Sequence, residues 1–137
     1  MGVECLLDTG PLVAILDRSQ ESHDRCVEVL EGITGAMLTT EAVLTEATHL
    51  LSGLKDGPGL CLEFVLGGGA VLVPATLASL RRSQALVRKY RDVPMDFADA
   101  TLVTLAEETR VAKVFTLDRR GFSVYRFLGR RPFEVVP

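Results

Sequence analysis

Apolar residues in this chain alternate between short continuous runs and longer stretches of helical spacing. Val3–Leu7, Ala36–Thr39, Ala70–Val73 and Phe133–Val136 are short runs, and Val111–Leu117 holds another. Runs of this length, bounded by turn residues, predict strands buried on both faces. Between them the spacing predicts helices over about 11–17, 22–32, 40–52, 59–66, 75–90 and 96–109. T-G-P follows the first strand, with Thr9 as a helix cap and Pro11 in the first turn. Thr40 is placed to cap the third helix, and G-L-K-D-G-P-G breaks the chain after it. Strands separated by helices imply a parallel sheet covered on both sides. The fold class expected is therefore α/β, three layers, with a central, mostly parallel sheet of about four to five short strands.

Length and composition narrow this picture. A chain of 137 residues fits a single domain spanning 1–137. Its 47% hydrophobic content and mean hydropathy of +0.26 are high for a small soluble protein. That predicts a generous core or a surface covered by a partner. No stretch reaches the roughly 20 apolar residues of a membrane span, and the N-terminus lacks a signal-peptide pattern, so a cytoplasmic protein is expected. Cys5, Cys26 and Cys61 make an odd set without C-x-x-C spacing, which suits core filler in a reducing compartment.

The net charge is −3, which does not by itself suggest nucleic acid, but its distribution is uneven. Residues 110–131 carry Arg110, Lys113, Arg119, Arg120, Arg126, Arg130 and Arg131 against the single acid Asp118. A second cluster is Arg81, Arg82, Arg88, Lys89 and Arg91. Such patches steer polyanions, although a solvated helix face gives the same pattern. Gly67–Gly69 is a turn, since neither phosphate-loop glycine pattern occurs at a strand-to-helix junction.

The chemistry lies in acids that are far apart in sequence. Asp8 and Asp118 each close a strand-like run, and so reach the carboxyl edge of a parallel sheet, where ligands bind. Asp96 and Asp99 begin the helix before the fourth strand, and helices that return antiparallel start at that same edge. Glu46 lies about 9 Å down its helix from the edge, within reach if the helix tilts. Each acid has a simpler reading as well. Asp8 and Asp96 suit helix caps, Glu46 suits the rim of an amphipathic helix, and Asp118 opens the turn D-R-R-G. Asp99 is harder to dismiss, because Met95, Leu102, Val103 and Ala106 share its face, and an acid turned to a core needs a partner or a cation. Carboxylates alone are hard ligands, suited to Mg²⁺ or Mn²⁺. His23 and His49 stand apart and complete no histidine or cysteine set.

At these residues the chain resembles a known family. L-L-D-T-G-P-L-V-A-I-L-D, T-T-E-A-V-L-T-E-A-T-H-L-L, M-D-F-A-D-A-T-L-V-T-L-A-E and V-F-T-L-D-R-R-G-F are similar, in order, to PIN-domain proteins, and most of all to VapC-type toxin ribonucleases of toxin–antitoxin pairs. The resemblance implies a PIN fold and a Mg²⁺- or Mn²⁺-dependent endoribonuclease whose metal and catalytic residues are Asp8, Glu46, Asp99 and Asp118. It adds Asp96 as an accessory acid and Thr9 and Thr116 as hydroxyls beside the site. Arg119, Arg120, Arg81 and Arg82 are candidates for RNA phosphates. It also implies a homodimer and a cognate antitoxin. A catalytically silent PIN-like module that binds RNA or protein is the alternative; it would be favoured by a missing acid, and none is missing. A phospho-receiver domain needs paired acids after the first strand and a lysine closing a late one, where this chain has Asp8 alone and Arg119 after Asp118.

Overall fold

The computed structural model describes residues 2–137. Its elements in chain order are β1 (Val3–Leu7), α1 (Thr9–Leu16), α2 (His23–Gly32), β2 (Ala36–Thr39), α3 (Glu41–Leu50), α4 (Gly57–Leu66), β3 (Val71–Leu72), α5 (Leu77–Lys89), α6 (Phe97–Thr109), β4 (Lys113–Phe115), α7 (Arg119–Phe122), β5 (Arg126–Phe127), β6 (Arg131–Pro132) and β7 (Glu134–Val136). Five strands form one sheet in the order β3-β2-β1-β4-β7, and every neighbouring pair is parallel. The three-layer α/β/α class and the strand number expected from the sequence both hold.

Why the sheet forms is visible in burial. Cys5, Leu6 and Leu7 of β1 and Val114 and Phe115 of β4 are fully buried, as central strands between helical layers must be. Helix α6 is buried on most of its circumference, through Ala100, Leu102, Val103 and Ala106 among others. It packs against α3 and α5, while α1 packs against α2 and α3. The three cysteines are free and buried, in the packing role expected of them. No helix among the described residues is long and apolar enough to cross a membrane.

The sheet order decides where a ligand can sit. From β1 the chain moves outward through β2 and β3, then returns to place β4 on the other side of β1. The crossovers diverge there, opening a crevice beyond the carboxyl ends of β1 and β4. Leu7 pairs with Phe115 in register, so Asp8 and Thr116 are the first residues past the paired ends.

Two local expectations are corrected. Thr9 is not the cap of α1: Asp8 is, accepting from the Thr9 backbone N–H, because Asp8 is the one residue between the end of the strand and the first residue of the helix. The D-R-R-G segment is a one-turn helix, α7, capped by Asp118 rather than an open turn. The antiparallel pair β5–β6 is too short to have a readable period and was not expected. Thr40 caps α3 as anticipated, by accepting from Val43 N–H.

Candidate functional site

Three backbone devices converge on the crevice. The carboxyl end of β1 delivers Asp8, the end of β4 delivers Thr116 and then Asp118, and the first turn of α6 delivers Asp96 and Asp99. Asp8 is 6% exposed and Asp99 8% exposed, whereas Glu46, Asp96 and Asp118 face solvent. Glu46 lies with Asp96, Phe97, Thr45 and His49 on the wall of an open cleft of about 620 Å³ beside the buried pair. The outer acids thus form a rim, and the inner ones a floor.

Hydrogen bonds fix the floor. Thr9 N–H donates to Asp8 Oδ1 at 2.8 Å, and the Thr116 hydroxyl donates to Asp8 Oδ2 at 2.6 Å. The same Thr116 oxygen accepts from Asp118 N–H at 3.0 Å, so one buried hydroxyl ties the first acid to the last. Asp118 Oδ1 accepts from Gly121 N–H at 3.0 Å, and Asp96 Oδ1 accepts from Asp99 N–H at 2.8 Å. Tyr125, 1% exposed, donates its hydroxyl to Asp99 Oδ2 at 2.9 Å.

The electrostatics follow from this crowding. Burial, followed by repulsion from Glu46 and Asp96, pushes the Asp8 carboxyl up to about 6, against the donors Thr116 and Thr9 that favour its ionised form. Burial, then the charges of Asp96, Asp8 and Asp118, push Asp99 up to about 7. Tyr125 is driven upward by burial and by the Asp99 charge, so it remains a donor. The two buried acids thus sit within the field of the three exposed ones. Glu46 acts on Asp8 from the rim, and the reading of it as an amphipathic-rim residue and as a site residue are compatible.

Several features suit a hard divalent cation. The side chains converging here are carboxylates, which favour Mg²⁺ or Mn²⁺ over softer metals. Asp96, Asp99 and Asp118 each commit one carboxylate oxygen to a protein donor, and the other has no hydrogen bond among the described residues. The Thr9 hydroxyl, buried next to Asp8, has no hydrogen-bond partner among the described residues, an unpaired polar atom at the floor of the acids. No three His, Cys, Asp or Glu side chains among the described residues are grouped to enclose an ion by themselves. Asp8 spends both oxygens on Thr9 and Thr116, and like charges hold the remainder apart.

The basic candidates divide. Arg119 and Arg120 are exposed on α7, directly after Asp118, and an Arg119 N–H donates to the Pro137 carbonyl. Arg81 is exposed on α5. Arg82 grips Glu107 at two points, 2.6 and 3.1 Å, so its guanidinium is already committed to an acid of α6. The sequence reading missed Tyr125 and Gly121. A Cβ on Gly121 would come within 2.4 Å of Asp118 Oδ2 and 2.9 Å of the Tyr125 hydroxyl, so only glycine allows both groups this close. The glycine of D-R-R-G was legible as a turn residue, but nothing in the local pattern pointed from Tyr125 to Asp99.

Comparison with known proteins bears on the family and the fold. The sequence profile of the PIN domain family matches residues 5–128. Ribonuclease VapC26 of Mycobacterium tuberculosis is 30% identical over 134 residues, covering 96% of this chain and 99% of that protein. Among solved structures, the Mycobacterium tuberculosis toxin VapC20, described as cleaving the sarcin–ricin loop, superposes with a TM-score of 0.81 at 15% identity, covering 94% of this chain and all of that one (100%). A toxin–antitoxin complex from Klebsiella pneumoniae gives a TM-score of 0.69 at 17% identity, with 98% of this chain and 97% of that one covered. The two structural likenesses concern the fold.

Proposed function

The chain belongs to the PIN-domain family, and from that premise we propose that residues 1–137 are a single-domain, divalent-metal-dependent endoribonuclease, the toxin of a VapBC-type pair. The observation that carries the reading is the pair of buried acids, Asp8 and Asp99, tied into one hydrogen-bonded floor next to exposed acids and raised to about 6 and about 7 by burial and by those neighbouring acids. Ionising two carboxylates buried among further acids is costly, and a bound cation would remove that cost.

Asp8, Glu46, Asp99 and Asp118 would hold the ion, with Asp96 as an accessory. Bound there, Mg²⁺ or Mn²⁺ would supply Lewis-acid activation of water and neutralise charge gathering on the phosphate during in-line displacement. The chain's own groups do the remaining work. Thr116 orients Asp8 and, through the Asp118 N–H, sets the position of the strand end beside it. The unpaired Thr9 hydroxyl lies buried beside Asp8 and would help set the polarity of the floor. Arg119 and Arg120, on the exposed turn next to the acids, are suited to the RNA backbone on either side of the scissile bond, and Arg81 to a more distant phosphate. Arg82 would join them only by releasing Glu107. Products with 5′-phosphate and 3′-hydroxyl ends follow from water attack on phosphorus with departure of the 3′ oxygen.

Partners are proposed on the same footing. Leu50, Leu66, Leu77, Leu80 and Phe97 are large apolar side chains left exposed, 81% in the case of Leu66. This is surface suited to a second copy and to an antitoxin segment. The solved complex from Klebsiella pneumoniae is one relative of this fold with an antitoxin bound. A cytoplasmic location fits the three free cysteines. The test is cleavage of a fluorescent single-stranded RNA by purified protein titrated with Mn²⁺. Turnover that rises with Mn²⁺ and vanishes with chelator supports the reading, and metal-independent turnover rejects it.

A further inference from the structure

The most constrained group near the acids is one the proposed chemistry does not use. Tyr125 is almost fully buried, and its hydroxyl ends on Asp99 Oδ2 at 2.9 Å. Its ring has no freedom to turn away. Tyr90 packs edge-on against it at 5.1 Å between centroids, and Phe122 does the same from another side at 5.1 Å. Phe122 is itself braced by Phe133 at 5.3 Å. The hydroxyl lies close to Gly121, where any Cβ would approach it to 2.9 Å. Gly121 also donates its N–H to Asp118 Oδ1.

One short segment, from Asp118 to Tyr125, thus supplies an acid and the group that orients a different acid on α6. Building on the metal reading given above, we propose that Tyr125 is a positioning residue: it fixes the rotamer of Asp99 so that Oδ2 is spent on the hydroxyl and Oδ1 is presented to the cation. Gly121 is the residue that makes this possible. Partners behind a metal ligand typically govern affinity by about 10- to 100-fold, because a ligand free to rotate must be immobilised on binding.

A neighbouring tyrosine provides the control. Tyr90 has the same phenol in the same aromatic cluster, but its hydroxyl accepts from Arg126 N–H at 3.0 Å and touches no acid. Tyr125→Phe and Tyr90→Phe therefore delete equivalent hydroxyls, only one of which bears on Asp99.

The experiment is calorimetric titration of Mn²⁺ into full-length wild type, Tyr125→Phe, Tyr90→Phe and Gly121→Ala without RNA, with thermal unfolding of each in chelator. Expected are Mn²⁺ affinity lowered about 10- to 100-fold in Tyr125→Phe, affinity lowered further in Gly121→Ala, whose Cβ displaces Asp118 Oδ2 as well as that hydroxyl, and wild-type affinity in Tyr90→Phe. Wild-type affinity in Tyr125→Phe overturns the proposal. So does an equal loss in Tyr90→Phe, which would mark both hydroxyls as merely structural. A wild type that binds no Mn²⁺ overturns the metal reading, and the role of Tyr125 with it, whereas a metal-binding wild type with an unaffected Tyr125→Phe overturns the role of Tyr125 alone.

Discussion

Replacing Asp99 by Asn should strengthen the fold and destroy the activity, and the size of the first effect can be worked out. Asp99 is 8% exposed, and its carboxyl rises from 3.8 to about 7 through burial and the charges of Asp96, Asp8 and Asp118. A group that holds its proton more tightly folded than unfolded contributes stability below its unfolded value, and that contribution is lost as pH rises through the folded value. At 1.36 kcal/mol per unit, ionising Asp99 costs the metal-free protein at most about 4 kcal/mol at pH 8. Relaxation and shared repulsion bring a realistic figure to about 2–4 kcal/mol. Asn is nearly isosteric, its Oδ1 can still accept from Tyr125, and it has no charge to lose. For 137 residues, 1 kcal/mol corresponds to roughly 3 °C in melting temperature, so Asp99→Asn should melt about 6–12 °C above wild type at pH 8 in chelator. Near pH 4 the gap should shrink below about 1 kcal/mol, since wild-type Asp99 is then protonated when folded. Saturating Mn²⁺ should narrow or reverse the gap, because only wild type binds the ion well. Thermal unfolding of both proteins across pH 4–8, with chelator and with Mn²⁺, makes the measurement. A variant no more stable than wild type at pH 8, or a gap that does not change with pH, would refute the reasoning.

Other outcomes follow from the same geometry. Thr116→Val removes the donor to Asp8 and the acceptor for Asp118 N–H, both buried or half-buried, and should cost about 1–3 kcal/mol by denaturant titration together with at least tenfold in cleavage rate. Cleavage should rise with pH through the window from about 6 to 7 and then level, since Asp8 and Asp99 must both lose their protons to hold a cation; a rate that is flat from pH 5 to 8 would contradict this. Arg119→Ala with Arg120→Ala should weaken RNA binding at low salt and flatten its salt dependence, by about one unit of slope for each phosphate no longer neutralised. Arg82→Ala should change stability by less than about 1 kcal/mol, because its pair with Glu107 is 42% exposed on the arginine side.

Much of the architecture was legible because a parallel α/β fold writes itself in long-wavelength pattern. Buried central strands such as Cys5–Leu7 must be apolar on both faces, and Asp99 stands out as the one acid among the buried residues of α6. The convergence of Asp8 and Asp118 also followed from topology, since strands that begin together end together. Two kinds of feature were not legible. Short elements such as α7 and β5–β6 are held by caps and pairing rather than by any period, so hydrophobic spacing says nothing about them. Contacts such as Tyr125 with Asp99 join residues 26 apart through side-chain packing, and a lone tyrosine after a loop has no sequence signature for its partner. Glu46 is exposed on the rim with Asp96 and Asp118; its spacing from Val43 and Leu50 allowed either the rim or the apolar face, and the structure puts it on the rim.

The central claim is that this acidic crevice hydrolyses RNA. It is tested most directly by incubating total RNA with wild type and with Asp99→Asn, with Mn²⁺ or chelator, and sequencing the new ends. The account predicts discrete new 5′-phosphate ends with wild type and Mn²⁺, absent with chelator and absent with the variant. Folded, Mn²⁺-supplied wild type that leaves the RNA intact, or a variant that produces the same ends, would contradict it.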